Sequence, residues 1–237
     1  TNEGVYALRN LLKLDNFSPK NLEQIKGIAY RDSGKININL PEKIVPMERM
    51  DIDLPGYAWD LLPYEKKPMD LYRSPMWHAE YDFEKRSPYA SLQTSLGCVF
   101  KCDFCMINLI NRNDSAEVGV AGHYSNMRFW STDFIIKEFD KLIEMGVETI
   151  RIVDEMFLLN PKYYIPLCEK LALRNKDDKL RLWSYSRIDT VKRPEVLKLV
   201  RKAGIKWLCL GIESGDKSVR LEVAKGKFDD VDVKEVV

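Results

Sequence analysis

The 237-residue chain has no apolar run long enough to cross a bilayer and no secretory leader at its start. That excludes a membrane-spanning helix and makes the cytoplasm the expected location. It has almost no net charge: 37 basic and 36 acidic residues leave +1. No overall field therefore draws it to nucleic acid or to an anionic membrane, although a local basic patch is compatible with that total. Histidine is nearly missing, with His78 and His123 alone. A disulfide framework is missing too. Three of the five cysteines are crowded together, while Cys168 and Cys209 stand alone in apolar stretches. This usage fits a reducing compartment and metal ligation. What is present, 45% hydrophobic and 31% charged residues, is the composition of a globular chain able to bury a sizeable core in one large or two small domains. The chain starts at Thr1 instead of a methionine and stops in a charged stretch, so a piece of a longer protein is expected.

Three regions follow one another. Val5, Leu8, Leu11 and Leu12 recur at helical spacing, which predicts an opening helix. Strands over 25–31 and 35–40 around a turn at 31–34 predict a hairpin after it. Residues 41–87 hold most of the prolines and many aromatics, among them Tyr57, Trp59, Tyr72 and Trp77. So many aromatics argue against a disordered linker and for an extended segment that wraps a domain. From 88 onward strands and helices alternate: strand 91–96, helix 132–145, strand 149–153, helix 162–175, strand 180–185, helix 194–203, strand 205–210 and a short helix at 217–224. Ser131 or Thr132 caps the first of these helices, Asn160 and Pro161 start the second, and Pro166 puts its first turn in question. Strand–helix alternation implies parallel strands joined by right-handed crossovers. The expected fold is α/β, a partial, open (β/α) barrel with parallel strands.

Ligands of such folds bind at the carboxyl ends of the strands, so unusual polar groups are expected there. After the first strand come Gly97, Cys98, Cys102 and Cys105. After the second come Asp154 and Glu155, after the third Ser186, Arg187 and Asp189, and after the fourth Gly211, Glu213, Ser214 and Gly215. Three thiolates spaced C-x3-C-x2-C can hold three corners of a four-iron cluster, which normally takes four cysteines, and leave one iron open to a ligand. Two rivals use the same sulfurs: zinc with His123 as fourth ligand, or a closed electron-transfer cluster sealed by Cys168 or Cys209. Asp154 and Glu155 read either as an acidic turn or as acceptors for a ligand ammonium. Arg187 reads either as a bidentate carboxylate anchor or as the partner of Asp189 or Glu213. The Gly211-to-Gly215 run reads either as a turn capped by Ser214 or as a close backbone approach to ligand hydroxyls. Arg128 reads as structural.

The cysteine spacing, with Phe104 before the last cysteine, resembles the signature of the radical S-adenosylmethionine (SAM) superfamily. Gly-Ile-Glu-Ser-Gly at 211–215 and Asp-Glu-Met-Phe at 154–157 resemble its cobalamin-binding branch, where Asp-Asp-x-Phe is common; Glu155 is a departure from that pattern. The resemblance covers roughly residues 88–226. It implies that Cys98, Cys102 and Cys105 hold a [4Fe-4S] cluster and that SAM is bound by Phe104, Asp154, Glu155, Ser186, Arg187, Glu213 and Ser214. It also implies reductive cleavage of SAM to methionine and a 5′-deoxyadenosyl radical, fed by a donor such as flavodoxin or ferredoxin. A cobalamin-dependent methyltransferase or cyclase acting on a small molecule or peptide is the finer expectation. A methylthiotransferase, and a zinc or electron-transfer module without catalysis, are the alternatives. By the same resemblance, residues 1–40 are the tail of an N-terminal, cobalamin-binding, Rossmann-like domain, 41–87 a connector, and 88–237 the radical SAM core with four of its six strand–helix units.

Overall fold

The computed structural model describes residues 3–63, 89–100, 102, 104–107, 127–191, 193–223 and 233–236. Most of the aromatic connector, with His78 and His123, lies outside them. Two compact units emerge. The first takes Thr1–Pro55, Leu96–Phe129 and Val223–Gly226; the second takes Gly56–Ser95, Trp130–Glu222 and Lys227–Val237.

The first unit contains helices α1 (Val5–Leu11), α2 (Pro19–Leu22) and α3 (Met50–Asp53), and strands β1 (Ala29–Asp32) and β2 (Lys35–Ile38). The two strands pair antiparallel, Ala29 opposite Ile38 and Asp32 opposite Lys35. Ser33 and Gly34 between them both have positive φ, 46° and 83°. That is the backbone a two-residue hairpin loop needs to match strand twist. Helix α1 forms as its periodicity predicts, but Ala7 is its buried residue, while Leu8 and Leu12 are 56% and 72% exposed. Arg128 is structural, as expected. It is buried, donates to the Val45 carbonyl and pairs with Glu3, whose other oxygen accepts from the Val45 amide at 2.9 Å.

The second unit is a four-stranded sheet of β3 (Tyr89–Leu92), β4 (Thr149–Ile152), β5 (Arg181–Arg187) and β6 (Ile205–Gly211). The strands run parallel in sequential order. Helices α4 (Thr132–Glu144), α5 (Pro161–Arg174) and α6 (Pro194–Lys202) connect them, and α7 (Lys217–Val223) and α8 (Val233–Val236) follow. Sequential order with right-handed crossovers puts the connecting helices on one face of the sheet. The rows Ala90–Ile150–Leu182 and Leu92–Ile152–Ser184 are almost wholly buried and form that covered face. Among the described residues the sheet does not close on itself, and the expected open strand–helix architecture is what forms. Ser131 caps α4 by accepting from the Phe134 amide at 3.1 Å, and Asn160 caps α5 by accepting from Lys162 at 3.2 Å; each is worth about 1 kcal/mol. Pro166 lies inside α5 without breaking it. Burial of Tyr163, Tyr164, Leu167 and Leu171 along that helix outweighs the one backbone bond the proline forfeits.

The expected first strand, 91–96, starts earlier and stops at Leu92. The amides that follow are diverted from the sheet: Gln93 donates to the Tyr57 hydroxyl at 2.9 Å, and Thr94 to Asp154 at 2.6 Å. Among the described residues no helix is long and apolar enough to cross a membrane.

Candidate functional site

The expected site residues fall on both units, and each set has its own character. In the first unit the cysteines of the loop grow more exposed along the chain. Cys98 is buried, Cys102 half-buried, and Cys105 exposed. Phe104 is 61% exposed. A turn from the Cys102 carbonyl to the Cys105 amide, 3.1 Å, sets the spacing of the last two thiols. The Phe100 amide donates to Cys98 Sγ at 3.5 Å. Among the described residues no three of His, Cys, Asp and Glu gather closely enough to hold a metal ion, so the three sulfurs share a loop without converging on a point. Like-charged thiolates have no reason to converge until a cation draws them in, because metal binding and local folding are coupled. The donor set itself, three thiols on one tight loop with an amide already directed at a sulfur, fits an iron–sulfur cluster.

In the second unit the strand ends are tightly held. Asp154 follows β4 and is 1% exposed. Its carboxylate accepts from the Thr94 amide, the Thr94 hydroxyl and the Ser95 hydroxyl, each at 2.6 Å. The Thr94 carbonyl in turn accepts from the Tyr163 hydroxyl at 2.8 Å. Every polar atom of Thr94 is therefore engaged, three residues before Gly97. Burial pushes the Asp154 carboxyl above its ordinary value, against the pull of the Ser95 and Thr94 donors. Asp154 thus fixes the exit of β3, and Glu155 beside it is half-buried.

Register aligns the ends of the next two strands, Ser186 with Leu210 and Arg187 with Gly211. Ser186 lies 2.7 Å from the Thr190 hydroxyl. Arg187, 6% exposed, forks onto Asp189, with Nε–Oδ1 and Nη2–Oδ2 both at 3.1 Å. The pairing with Asp189, one of the alternatives expected for Arg187, forms. Glu213 is exposed and adopts φ +65°. A Cβ at Gly211 would come within 3.2 Å of the Glu213 carboxylate, so a side chain there would have to displace it. Ser214 accepts from the Asp216 amide at 3.1 Å, and buried Arg220 donates to the carbonyls of Ser214 and Gly215. The turn is held from within and leaves Glu213 at the surface.

Cys168 and Cys209, the proposed sealing ligands, lie apart from the loop in chain and in character. Cys168 is fully buried inside α5, and desolvation, aided by Glu169, pushes its thiol up to about 12. It is a packed thiol. Cys209 sits within β6, opposite Tyr185. His123, the zinc alternative's fourth ligand, lies outside the described residues. Tyr57, Thr94, Ser95 and Tyr163 were not legible as site residues. The one trace in the sequence is the polar run Gln-Thr-Ser interrupting an apolar strand.

Comparison with known proteins agrees with this reading of the chain. The family model of the radical SAM superfamily matches residues 92–233. An uncharacterized methyltransferase from Pyrococcus horikoshii is 28% identical over 87% of this chain and 38% of its own length. The anaerobic magnesium-protoporphyrin IX monomethyl ester cyclase of Cereibacter sphaeroides is 27% identical over 99% of this chain and 34% of its own length. The hopanoid C-2 methylase of Rhodopseudomonas palustris is 32% identical over 57% of this chain and 24% of its length. The chain therefore spans little more than a third, or less, of the curated relatives it matches. Among solved structures, the cobalamin-dependent S-adenosylmethionine radical enzyme OxsB, with aqua-cobalamin bound, shares the fold at a TM-score of 0.59 and 22% identity, over 95% of this chain and 29% of that one.

Proposed function

Because the chain belongs to the radical SAM superfamily, we propose that it holds a site-open [4Fe-4S] cluster on Cys98, Cys102 and Cys105 and cleaves SAM reductively. The observation that carries this is the three-thiol loop placed directly after the first parallel strand, within the matched residues. When bound, such a cluster supplies one electron to the sulfonium of SAM, giving methionine and a 5′-deoxyadenosyl radical. The chain's own work is placement. Cys98 is buried, and its sulfur accepts the Phe100 amide; hydrogen bonds to ligand sulfurs tune cluster potential. Asp154 fixes the backbone that leads into the loop, through Thr94 and Ser95. Arg187, locked to Asp189, shapes the end of β5 beside Ser186. Glu155, Glu213, Ser214 and Phe104 are the groups we assign to direct contact with SAM. Asp154, Ser186 and Arg187 support them.

The finer reading is a cobalamin-dependent methyltransferase or cyclase. The relatives named as methyltransferase, cyclase and methylase support the choice of reaction. The sequence segments at 154–157 and 211–215 support the cobalamin branch. Its substrate is a small molecule or peptide, its electron donor a flavodoxin or ferredoxin, and its compartment the cytoplasm.

The test is anaerobic reconstitution with iron and sulfide, followed by reduction in the presence of SAM. Bound iron and sulfide with release of 5′-deoxyadenosine is the expected result. Zinc in place of iron marks the binding-module alternative. A fully loaded cluster without any release of 5′-deoxyadenosine marks an electron carrier and sinks the proposal.

A further inference from the structure

The turn after β6 holds a strained residue in place with a buried cation. The Ser214 amide donates to the Ile212 carbonyl at 2.8 Å, and Glu213 between them has φ +65°. A bond from residue i+2 back to residue i across a positive φ is the γ-turn of the rare, strained hand. Such a backbone persists only where its surroundings over-determine it. Burial of its own side chain does not supply that, because Glu213 is exposed. The support comes from further along the chain. Arg220 on α7, 6% exposed, turns back and donates Nη1 to the Ser214 carbonyl at 2.8 Å and to the Gly215 carbonyl at 3.1 Å. The start of α7 is capped without it: Asp216 Oδ1 accepts from the Ser218 amide at 2.8 Å, the Val219 amide at 3.0 Å and the Ser218 hydroxyl. The Ser218 hydroxyl and these amides hold the Asp216 carboxyl below its ordinary value, and the nearby guanidinium adds to that pull. The contacts of Arg220 thus fall before the cap, on the two residues that follow Glu213. At the other end of the turn, a Cβ on Gly211 would come within 3.2 Å of the Glu213 carboxylate and 3.8 Å of the Ser186 carbonyl. The strained residue therefore lays its carboxylate across the ends of β5 and β6, where Arg187 and Gly211 are in register.

We propose that Arg220 is a positioning residue: by clamping the Ser214 and Gly215 carbonyls it keeps the strained Glu213 turn set to receive the hydroxyl groups of a nucleoside ligand. Burying a guanidinium, which stays charged at any working pH, is costly. Gly215 is exposed, so its carbonyl has water available and does not need a charged donor for its own sake. What the cation adds is conformation. Two charge-assisted bonds from one nitrogen fix the backbone just after Glu213, and a carboxylate already in position loses less freedom when a ligand arrives. The inference rests on the proposed function for the identity of the ligand, SAM, while the contacts belong to the turn and to α7 alone. Arg220 touches no ligand in this account and acts through Glu213 and Ser214.

Equilibrium dialysis of the anaerobically reconstituted protein compares SAM with its 2′-deoxy and 3′-deoxy analogues. The wild type is expected to bind SAM at least about tenfold more tightly than one of the two, the scale of one hydrogen bond to a charged group. Arg220→Gln, which lets the turn relax, should abolish that preference. Arg220→Lys, which keeps the charge but stops one bond short of the carbonyls, should reduce it to a few fold. In Arg220→Ala, guanidinium ion at a non-denaturing concentration should restore part of it, a rescue that a residue needed only for folding would not show. Hydrogen exchange at the Ser214 amide of the metal-free protein should quicken in Arg220→Gln while the amides of β4 and β5 keep their protection. If Arg220→Gln does not fold, the lysine variant decides. A wild type without preference among the three ligands, or an unchanged preference in the Arg220 variants, overturns the inference. So does an equal loss of affinity for SAM and both analogues, since Arg220 is then structural only. Dialysis needs no turnover. A protein that shows the preference and its loss in the variants yet releases no 5′-deoxyadenosine loses its proposed reaction and keeps this role for Arg220. One that releases 5′-deoxyadenosine with the preference untouched in the variants keeps the reaction and loses the role.

Discussion

The cysteine loop and the strand ends of the parallel sheet carry the same kind of residue, polar groups suited to ligands, in opposite physical states. At the strand ends many of the polar atoms are held by the protein. Asp154 takes three donors, Thr94 spends its amide, hydroxyl and carbonyl, and Arg187 is forked onto Asp189. In the loop, Cys105 and Phe104 stand exposed, and a turn from Cys102 to Cys105 and an N–H···S contact to Cys98 are among the interactions that shape it. A buried polar group must find its partner within the fold or cost free energy, so the contacts of Asp154 and Thr94 are in place before any ligand arrives. Thiols of one loop are under no such compulsion, and under the proposed function the charge that would organise them comes with the metal.

The sharpest break of this contrast is Cys102→Ala. It should eliminate both cluster iron and release of 5′-deoxyadenosine while leaving thermal unfolding of the metal-free protein unchanged, because the loop contributes little to the core. An altered melting temperature would show the loop to be as structural as the strand ends.

Next in size is Asp154→Ala, which orphans three buried donors and should cost on the order of 3–5 kcal/mol in urea unfolding. Asp154→Asn should cost less and should remove a pH dependence. Burial raises the folded-state carboxyl above its ordinary value of 3.8. Its stabilising contribution is therefore full below that value and is lost as pH rises through the raised one. The wild type should lose stability relative to Asp154→Asn over that interval, and parallel curves would contradict the assignment.

Smaller still is Arg187→Lys, which breaks the fork to Asp189 and should cost about 1–2 kcal/mol. If Arg187 acts through Asp189, Asp189→Asn should weaken SAM affinity to the same extent. A loss confined to Arg187→Lys would mean a direct contact with the SAM carboxylate.

The least effect is expected from Cys168→Ala and Cys209→Ala, with iron content unchanged in both. Loss of iron in either would mean that a fourth thiolate seals the cluster.

Much of the second unit could be read from residues alone. The caps Ser131 and Asn160, the prolines at the starts of α5 and α6, and the apolar periodicity of α4 are local signals, and each element formed within one or two residues of its expected bounds. The three-thiol motif is local too, since its meaning lies in spacing along eight residues. The end of the first strand is different. It stops at Leu92 because Tyr57, 36 residues away, and Asp154, 60 residues away, capture the next amides. The burial of α1 likewise depends on distant segments. Helical periodicity marks which positions share a face, but the face that is covered depends on what packs there, and Ala7 is covered where Leu8 is not.

Local chemistry thus sufficed for the order of strands and helices, the parallel sheet they imply, and the spacing of the three thiols on which the proposed cluster rests, because each depends on neighbours a few residues apart. It took long-range packing to tie buried Asp154 to Thr94 and Ser95, and to line up Ser91, Arg151, Trp183 and Trp207 from four separate strands. Those outcomes depend on register and desolvation, and neither exists until the distant segments meet.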